Sequence, residues 1–202
     1  MKNELDCINV ELKTGNEAFL FEGNPISISL LQFWQWSDSD LMNNTTRGKL
    51  AEFIVANALG IADTIRQNWE PYDLVSSDGI KVEVKSAAYI QSWHQTRLST
   101  ITFDVKPTYD WNPENNEYGK ERRRQADVYV FCVLSHKEQE TINPLNLDQW
   151  DFYVLPTEKL DRNAKTQKSI SLSRIIDLGA AKVDYDNISH AIRKLHSLKA
   201  EY

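Results

Sequence analysis

Asp73, Glu83 and Lys85 are the residues whose types and spacing first suggest chemistry. Glu83 and Lys85 alternate with valines in the run 82–85, so a β-strand would place both charges on one face. The turn signal Ser77-Asp78-Gly79 joins this run to the segment that contains Asp73. Pairing of the two strands would bring both carboxylates to one end of a sheet, where they repel each other and a divalent cation is a natural counter-charge. The alternative is the solvated side of an ordinary hairpin.

Glu52 is a further carboxylate, and the helical pattern turns it inward. Capping residues, apolar residues spaced by three and four, and a closing Gly60 predict a helix over 46–59. Gly48 and Val55 share the face of Glu52, and small residues on that face would let the helix approach a sheet closely. An ionised carboxylate there is costly unless it is paired or bound to a metal. A salt bridge to one lysine is the alternative explanation.

Three acid-x-Lys tripeptides occur in the chain, so the tripeptide alone is weak evidence. They are Glu11-Leu12-Lys13, Glu83-Val84-Lys85 and Asp104-Val105-Lys106. The third runs directly into Pro107, which ends a strand. The second combines an aspartate on the partner strand with a helical glutamate upstream, and this combination favours it as the site.

In chain order, Glu52, Pro71-Tyr72-Asp73 and Glu83-Val84-Lys85 resemble the PD-(D/E)XK nuclease superfamily, which has the restriction-endonuclease-like fold. That family has a core helix with a glutamate, a strand with an aspartate and a strand with (Asp/Glu)-x-Lys. The resemblance covers roughly residues 46–134, and its motif is short. Tyr72 departs from the pattern, because it separates a proline and an aspartate that are adjacent in the motif.

The resemblance implies a Mg²⁺-dependent nuclease that hydrolyses phosphodiester bonds in DNA, with Mn²⁺ as an alternative ion. Asp73, Glu83 and the backbone carbonyl of Val84 would bind the metal, and Glu52 would help directly or through water. Lys85 would act on the attacking water as an electrostatic partner or a proton acceptor. DNA is the expected partner, and a homodimer is plausible because cutting both strands often requires two sites.

Two basic stretches, 118–124 and 158–168, are candidates for phosphate contacts, although a solvated charged face is the more common outcome. The first stretch follows a polar segment that we expect to form a long loop, and aromatic side chains beyond the hairpin are candidates for base stacking. Gln91 matches a glutamine found in some branches of the nuclease family. The predicted nucleic-acid contacts are Lys120, Arg122, Arg123, Arg124, Gln91 and Trp93.

The order of predicted strands and helices indicates an α/β fold with a central mixed β-sheet of about five strands flanked by helices, and these elements must position the candidate residues. A hairpin around Thr14-Gly15-Asn16 and a helix over 29–36 precede the core. Strands are predicted at 71–77, 80–87, 98–105, 126–134 and 150–156, with a weaker one at 170–176, and an amphipathic helix at 187–199. The segment 120–125 is predicted to end a short helix, and the apolar run 126–134 suits a strand buried on both faces.

Length and charge suit one globular domain with an appended arm. We assign residues 1–45 to an N-terminal arm of hairpin plus helix, packed on the core, and residues 46–202 to the nuclease-like domain. Residues 1–46 hold two lysines and seven acidic residues of a chain whose net charge is −6. No apolar run approaches the roughly 20 residues needed to cross a membrane, and no leader pattern is present, so a cytoplasmic protein without membrane partners is expected.

Two hypotheses of different classes remain open from the sequence. The first is the metal-dependent endonuclease, which the intact Asp73, Glu83 and Lys85 favour. The second is a catalytically silent protein of the nuclease fold that binds nucleic acid or another protein, which the acidic net charge favours. A plain structural hairpin in an unrelated protein is the third and weakest.

Overall fold

The computed structural model describes residues 8–66, 70–109, 111–112 and 117–197. Short 3₁₀ turns at 139–141, 147–149 and 185–187 connect some of the elements. In chain order the strands and helices are β1 Ala18–Phe21, β2 Asn24–Ser29, α1 Leu30–Asp38, α2 Asn44–Ala58, β3 Leu74–Val75, β4 Lys81–Ala88, β5 Thr102–Asp104, β6 Trp111–Asn112, β7 Glu117–Tyr118, β8 Val128–Leu134, β9 Trp150–Pro156, α3 Thr157–Ala164, β10 Ser169–Ser171, α4 Leu172–Asp177, β11 Ala181–Val183 and α5 Ile188–Ser197.

Five strands form the central sheet, in the order β11-β9-β8-β4-β3. Strands β4 and β8 run parallel, and every other neighbouring pair is antiparallel. All seven residues of β8 are buried, as expected for an apolar strand covered on both faces. The predicted mixed sheet of about five strands, flanked by helices and preceded by a hairpin and a helix, is confirmed.

The sheet separates two apolar clusters. On one face, side chains of β4, β8 and β9 pack with α2 and α5. On the other face, side chains of the same strands pack with β5, β10, α3 and α4. Val82 and Val84 belong to the first cluster, so the alternation of β4 turns Glu83 and Lys85 toward the second.

Helix α2 forms where the sequence predicts it. The side chain of Asn43 accepts a hydrogen bond from the backbone N–H of Thr45 and caps the helix. Gly60 follows the last turn with a φ of +73°, which is the left-handed conformation that ends many helices. The apolar side of α2 packs against the sheet, and its residues Ala51, Ile54 and Val55 are buried.

The N-terminal hairpin exists, but its turn lies further along the chain than predicted. Strands β1 and β2 are joined by Glu22-Gly23, with φ values of 50° and 79°. Two successive positive φ values are typical of the tight turns that match the strand twist. The prediction around Thr14–Asn16 was therefore wrong in position, because Gly15 serves there to admit Trp34 at close range.

Several other predicted elements are corrected. The strand at 71–77 shortens to β3, and β5 pairs with β10 outside the central sheet. The segment 120–125 forms no helix; Arg123 instead makes an isolated antiparallel bridge to Thr108. The segment 170–176 is half strand and half helix, β10 and α4.

The arm contributes little to the interior. Neither apolar cluster of the described residues includes a side chain from 8–38, and no residue of α1 is buried. An ion pair of 2.9 Å between Asp38 and Lys49 joins α1 to α2. The division at residue 45 stays a prediction. No helix of the described residues is long and apolar enough to cross a membrane.

Candidate active site

The hairpin of β3 and β4 fixes Asp73 against the backbone of Val84. The N–H of Asp73 donates to the carbonyl of Val82 at 3.1 Å. The N–H of Val84 in turn donates to Asp73 Oδ2 at 2.7 Å. Gly79, with a φ of +81°, closes the turn between the strands. The carboxylate of Asp73 is thus held beside β4 at the position of Val84.

Glu83 and Lys85 form an ion pair on an interior strand. Lys85 Nζ lies 2.5 Å from Glu83 Oε1, and the two side chains are 27% and 18% exposed. Strand β4 lies between β3 and β8, so Glu83 and Lys85 are not on an edge strand of the sheet. By contrast, Asp104 and Lys106 of a second tripeptide are both more than half exposed. The choice of Glu83 and Lys85 as the half-buried tripeptide agrees with the sequence argument.

Burial and neighbouring carboxylates raise the pKa of Asp73 to about 7. Burial is the largest cause, followed by the charges of Glu83 and then Glu52. The hydrogen bond from Val84 and the charge of Lys85 act in the opposite direction. The three carboxylates therefore share one electrostatic environment that favours an added positive charge.

Lys85 stays a cation in this environment. Burial alone would lower its pKa, but the charges of Glu83, Asp73 and Asp104 together raise it above the ordinary value. The carboxylates around Lys85 thus favour its protonated form over the neutral amine.

Glu52 forms a salt bridge, as in the alternative explanation from the sequence, but its partner is an arginine and not a lysine. The Arg66 guanidinium donates through Nε to Glu52 Oε2, and through its terminal nitrogen to Glu52 Oε1 at 2.9 Å. The hydrogen bond to Glu52 is the largest cause of the raised pKa of Arg66. Both carboxylate oxygens of Glu52 thus face Arg66.

The predicted site residues line two cavities. A cavity of about 540 Å³ is lined by Glu52 and Asp73 together with apolar side chains. A smaller one of about 160 Å³ is lined by Glu83, Lys85 and Asp104. The face of Glu83 and Lys85 is opposite α2, next to the end of β5. The charges of both Glu52 and Glu83 act on Asp73.

Arg124 does not have the exposed position expected of a phosphate contact. Its side chain is 1% exposed and pairs with Asp161 at 2.7 Å. Its guanidinium also donates to the carbonyls of Val105 at 2.8 Å and Ala164 at 3.4 Å. The prediction of Arg124 as a nucleic-acid contact is corrected, because its guanidinium is buried and is engaged by two backbone carbonyls and by the more exposed Asp161.

The other basic residues of the stretch 118–124 are exposed. Lys120, Arg122 and Arg123 lie at the surface, and the Arg122 guanidinium stacks 4.9 Å above the ring of Tyr109. Arg123 Nε donates to Gln125 Oε1 at 2.8 Å. Their side chains have the exposure that phosphate contacts require.

Gln91 and Trp93 lie beyond the opposite end of β4 from Asp73. The side chain of Gln91 donates to the carbonyl of Ala88 at 2.8 Å and accepts a bond from the buried Arg47 at 3.4 Å. Trp93 is 54% exposed. The structure therefore does not bring these two residues together with the carboxylates.

The carboxylates provide a donor set that suits one hard cation. One oxygen of Asp73 accepts from Val84 and one oxygen of Glu83 from Lys85. The other oxygen of each accepts no hydrogen bond within the described residues. Mg²⁺ is commonly held by one or two carboxylates and keeps several waters. No group of three or more His, Cys, Asp or Glu side chains in the described ranges is arranged to hold a metal ion.

A comparison with protein-family models shows to which family the chain belongs. The family model described as bacteriophage T4 endonuclease IV matches residues 27–174, well over half of the chain. The chain belongs to this endonuclease family. The match begins in β2, ends in α4 and includes Glu52, Asp73, Glu83 and Lys85. No curated protein matches the chain.

The family assignment supports a nuclease, whereas the PD-(D/E)XK superfamily stays an interpretation from the motif. Sequence reasoning missed two residues of the site. Arg66 carried no signal, because it reaches Glu52 from an irregular segment. Asp104 was visible in its tripeptide, but only the fold brings its charge near Lys85.

Proposed function

We propose that this member of the endonuclease IV family is a Mg²⁺-dependent endonuclease that hydrolyses phosphodiester bonds in DNA, and that it uses a PD-(D/E)XK site. The single observation that carries the proposal is the half-buried group of Asp73, Glu83 and Lys85. Burial, followed by the charges of Glu83 and Glu52, raises the pKa of Asp73 to about 7. A structural hairpin gains nothing from a carboxylate in this environment, whereas groups with strongly shifted pKa values are common at functional sites.

Asp73 and Glu83 would hold the metal through their remaining oxygens, with the backbone carbonyl of Val84 as a further ligand. The bound ion would supply charge neutralisation at the phosphate and a more acidic water. The hydrogen bond from Val84 to Asp73 orients the carboxylate before any ligand arrives. Glu52 would act through water, since Arg66 donates to both of its oxygens.

Lys85 would act as an electrostatic partner. Its raised pKa favours the ammonium form, which can donate hydrogen bonds to the attacking water or to a phosphate oxygen. A protonated lysine cannot accept a proton from that water, so the alternative role as a base is less favoured.

DNA would be held through exposed basic and aromatic side chains. Lys120, Arg122 and Arg123 are candidates for phosphates, and Trp93 is a candidate for base stacking. Gln91 stays a weaker candidate because it already bonds within the protein.

Cleavage assays with single-stranded DNA and with plasmid test the proposal. Wild type in Mg²⁺ or Mn²⁺ is expected to cut, and a chelator is expected to abolish cutting. Lys85→Met and Asp73→Asn should each lower the rate by about 10²-fold or more, as expected for groups acting on the reacting atoms.

Lys13→Met is the matched control. Lys13 also follows an acid-x pattern but lies exposed in the arm, outside the site. Its variant should cut as well as wild type. Equal activity of Lys85→Met and wild type would remove the catalytic assignment. A wild type that binds DNA but never cuts it would favour the catalytically silent module.

A further inference from the structure

Arg66 reaches the candidate active site from the irregular segment between α2 and β3. Its guanidinium donates through Nε and a terminal nitrogen to the two oxygens of Glu52. The side chain of Arg66 is 41% exposed, whereas that of Glu52 is 12% exposed. Arg66 is thus the more accessible member of the pair, and the roles proposed above give it no part in the reaction.

The guanidinium of Arg66 also lies within the electrostatic field of Asp73. The hydrogen bond to Glu52 is the largest cause of the raised pKa of Arg66; burial opposes it, and the charges of Glu52 and then Asp73 add to it. All three side chains line the cavity of about 540 Å³. Arg66 is therefore placed near the carboxylate that is proposed to hold the metal, on the wall of the same cavity.

A phosphodiester bound at this site needs donors for its charged oxygens. Negative charge on the non-bridging oxygens changes as the bond is cleaved, and preorganised donors lower the barrier. The planar fork of an arginine matches the geometry of a phosphate. Arg124, which lines the smaller cavity, is 1% exposed and already engaged by the protein. Arg66 has the exposure that contact with a ligand requires.

We propose that Arg66 binds the phosphate that is cleaved and is a further catalytic residue of the nuclease site. In the metal-free protein, Glu52 holds the guanidinium near Asp73. Once a bound cation neutralises the carboxylates, the anionic phosphate can approach, and the guanidinium donates to one of its non-bridging oxygens. The inference rests on the proposed nuclease function.

Arg66→Met and Arg193→Met are the matched variants. Arg193 also donates through two nitrogens to one carboxylate, that of Asp78, at 2.9 and 3.4 Å, but it lies on α5 and lines a different cavity. With Mg²⁺, Arg66→Met should lower the kcat of DNA cleavage by about 10²-fold, because one preorganised donor to the reacting phosphate is lost. Arg193→Met should cut as well as wild type.

A double-variant comparison separates phosphate binding from mere support of Glu52. If Arg66 contacts the phosphate, Arg66→Met should lower kcat about as much in a Glu52→Gln background as in the wild type. If Arg66 only orients Glu52, the substitution should cost nothing further once Glu52 is replaced. That second result would overturn the proposal.

DNA affinity gives a readout that does not depend on cutting. In a Lys85→Met background, where cleavage is slow, Arg66→Met should weaken DNA binding in Mg²⁺ by about 10-fold, as expected for a lost hydrogen bond between charged groups. With a chelator the affinity should stay nearly unchanged, because Glu52 then retains the guanidinium. Equal losses in both conditions would show an effect of general charge and would contradict the proposed contact.

Circular dichroism shows whether each variant is folded. Arg66→Lys serves if Arg66→Met unfolds; it keeps the charge without the planar fork and should lower kcat by about 10-fold. A wild type that cuts no DNA would reject the proposed function itself. A wild type that cuts, together with full activity of Arg66→Met or Arg66→Lys, would overturn the role of Arg66 and leave the nuclease function standing.

Discussion

The charge on Asp73 is costly because the carboxylate lies half-buried beside Glu83 and Glu52. Its pKa is raised from 3.8 to about 7 in the folded protein. Between these values the folded state binds a proton that the unfolded state has lost. The contribution of Asp73 to stability is therefore present at low pH and declines as pH rises from about 4 to about 7.

Asp73→Asn should consequently stabilise the metal-free protein at pH 8 by about 1–3 kcal/mol, and this gain should vanish near pH 4. The asparagine oxygen can still accept the hydrogen bond from Val84. Thermal unfolding with a chelator at several pH values measures the difference.

Asp104→Asn is the control for this effect. Asp104 is exposed, and despite the opposing effect of burial the bonds and charge of Lys106 lower its pKa, so neutralising it should give no gain at pH 8. If Asp73→Asn is destabilising at pH 8, the carboxylate is not repelled as described. Added Mg²⁺ should raise the melting temperature of wild type more than that of Asp73→Asn.

At the scale of single residues, the sequence predicted that Glu83 and Lys85 share one half-buried face, but not which side chains the arginines contact. Alternation along β4 was enough to place Glu83 and Lys85 on one face, because a strand has a fixed period. Arg66 and Arg124 could not be assigned in the same way. Whether an arginine meets solvent, a carboxylate or a carbonyl depends on elements far away in the chain.

Helix α2 contains Gly48, which has room for a larger side chain. An added Cβ at Gly48 would meet no atom within 4 Å, so the expected close approach to the sheet does not occur there. Gly48→Ala should stabilise the protein by about 0.5–1 kcal/mol, because alanine loses less backbone entropy in a helix. Urea unfolding measures the change.

The same substitution at Gly60 is the control. Gly60 also has open space, but its φ is +73°, so alanine should be destabilising there by about 1 kcal/mol. A similar effect of the two substitutions would contradict the argument from backbone conformation.

Arg124 ties the irregular segment before β8 to the end of α3. Arg124→Met should destabilise the protein by about 1–3 kcal/mol, since it leaves the buried carbonyl of Val105 without the donor that Arg124 supplies, while the carbonyl of Ala164 keeps the N–H of Gln167. Arg122→Met changes an exposed side chain and should alter stability by less than about 0.5 kcal/mol. Chemical unfolding of both variants tests this; equal losses would show that the buried contacts do not matter.

Elements were predictable where one pattern dominates, namely the unbroken apolar run of β8 and the helical spacing of apolar residues in α5. Helix α3 was not predicted, because its charged residues were interpreted only as a basic stretch. Leu160 and Ala164 are spaced by four and buried, which is the helical signal in this segment. The pairing of β5 with β10 could not be read from sequence. It joins Phe103 to Ile170, and nothing local specifies so distant a partner.

The whole molecule has a net charge of −6, which repels DNA. Any affinity for DNA must therefore come from a local cluster of basic side chains on the surface. The acidic arm and the basic stretch 118–124 lie in different parts of the chain. Among the basic residues predicted to contact DNA, the structure leaves Lys120, Arg122 and Arg123 exposed. About three phosphate contacts are therefore expected from this surface.

Three contacts should give a plot of log affinity against log salt with a slope of about −2 to −3. Fluorescence anisotropy of labelled DNA, with a chelator to prevent cutting, measures this slope. Replacing Lys120, Arg122 and Arg123 by serine should bring it close to zero. The matched control replaces Lys13, Lys137 and Lys194 by serine, because these residues are also exposed, lie outside both basic stretches and change the net charge equally. If the control lowers the slope as much, general charge governs binding, and the surface at 120–123 does not position DNA.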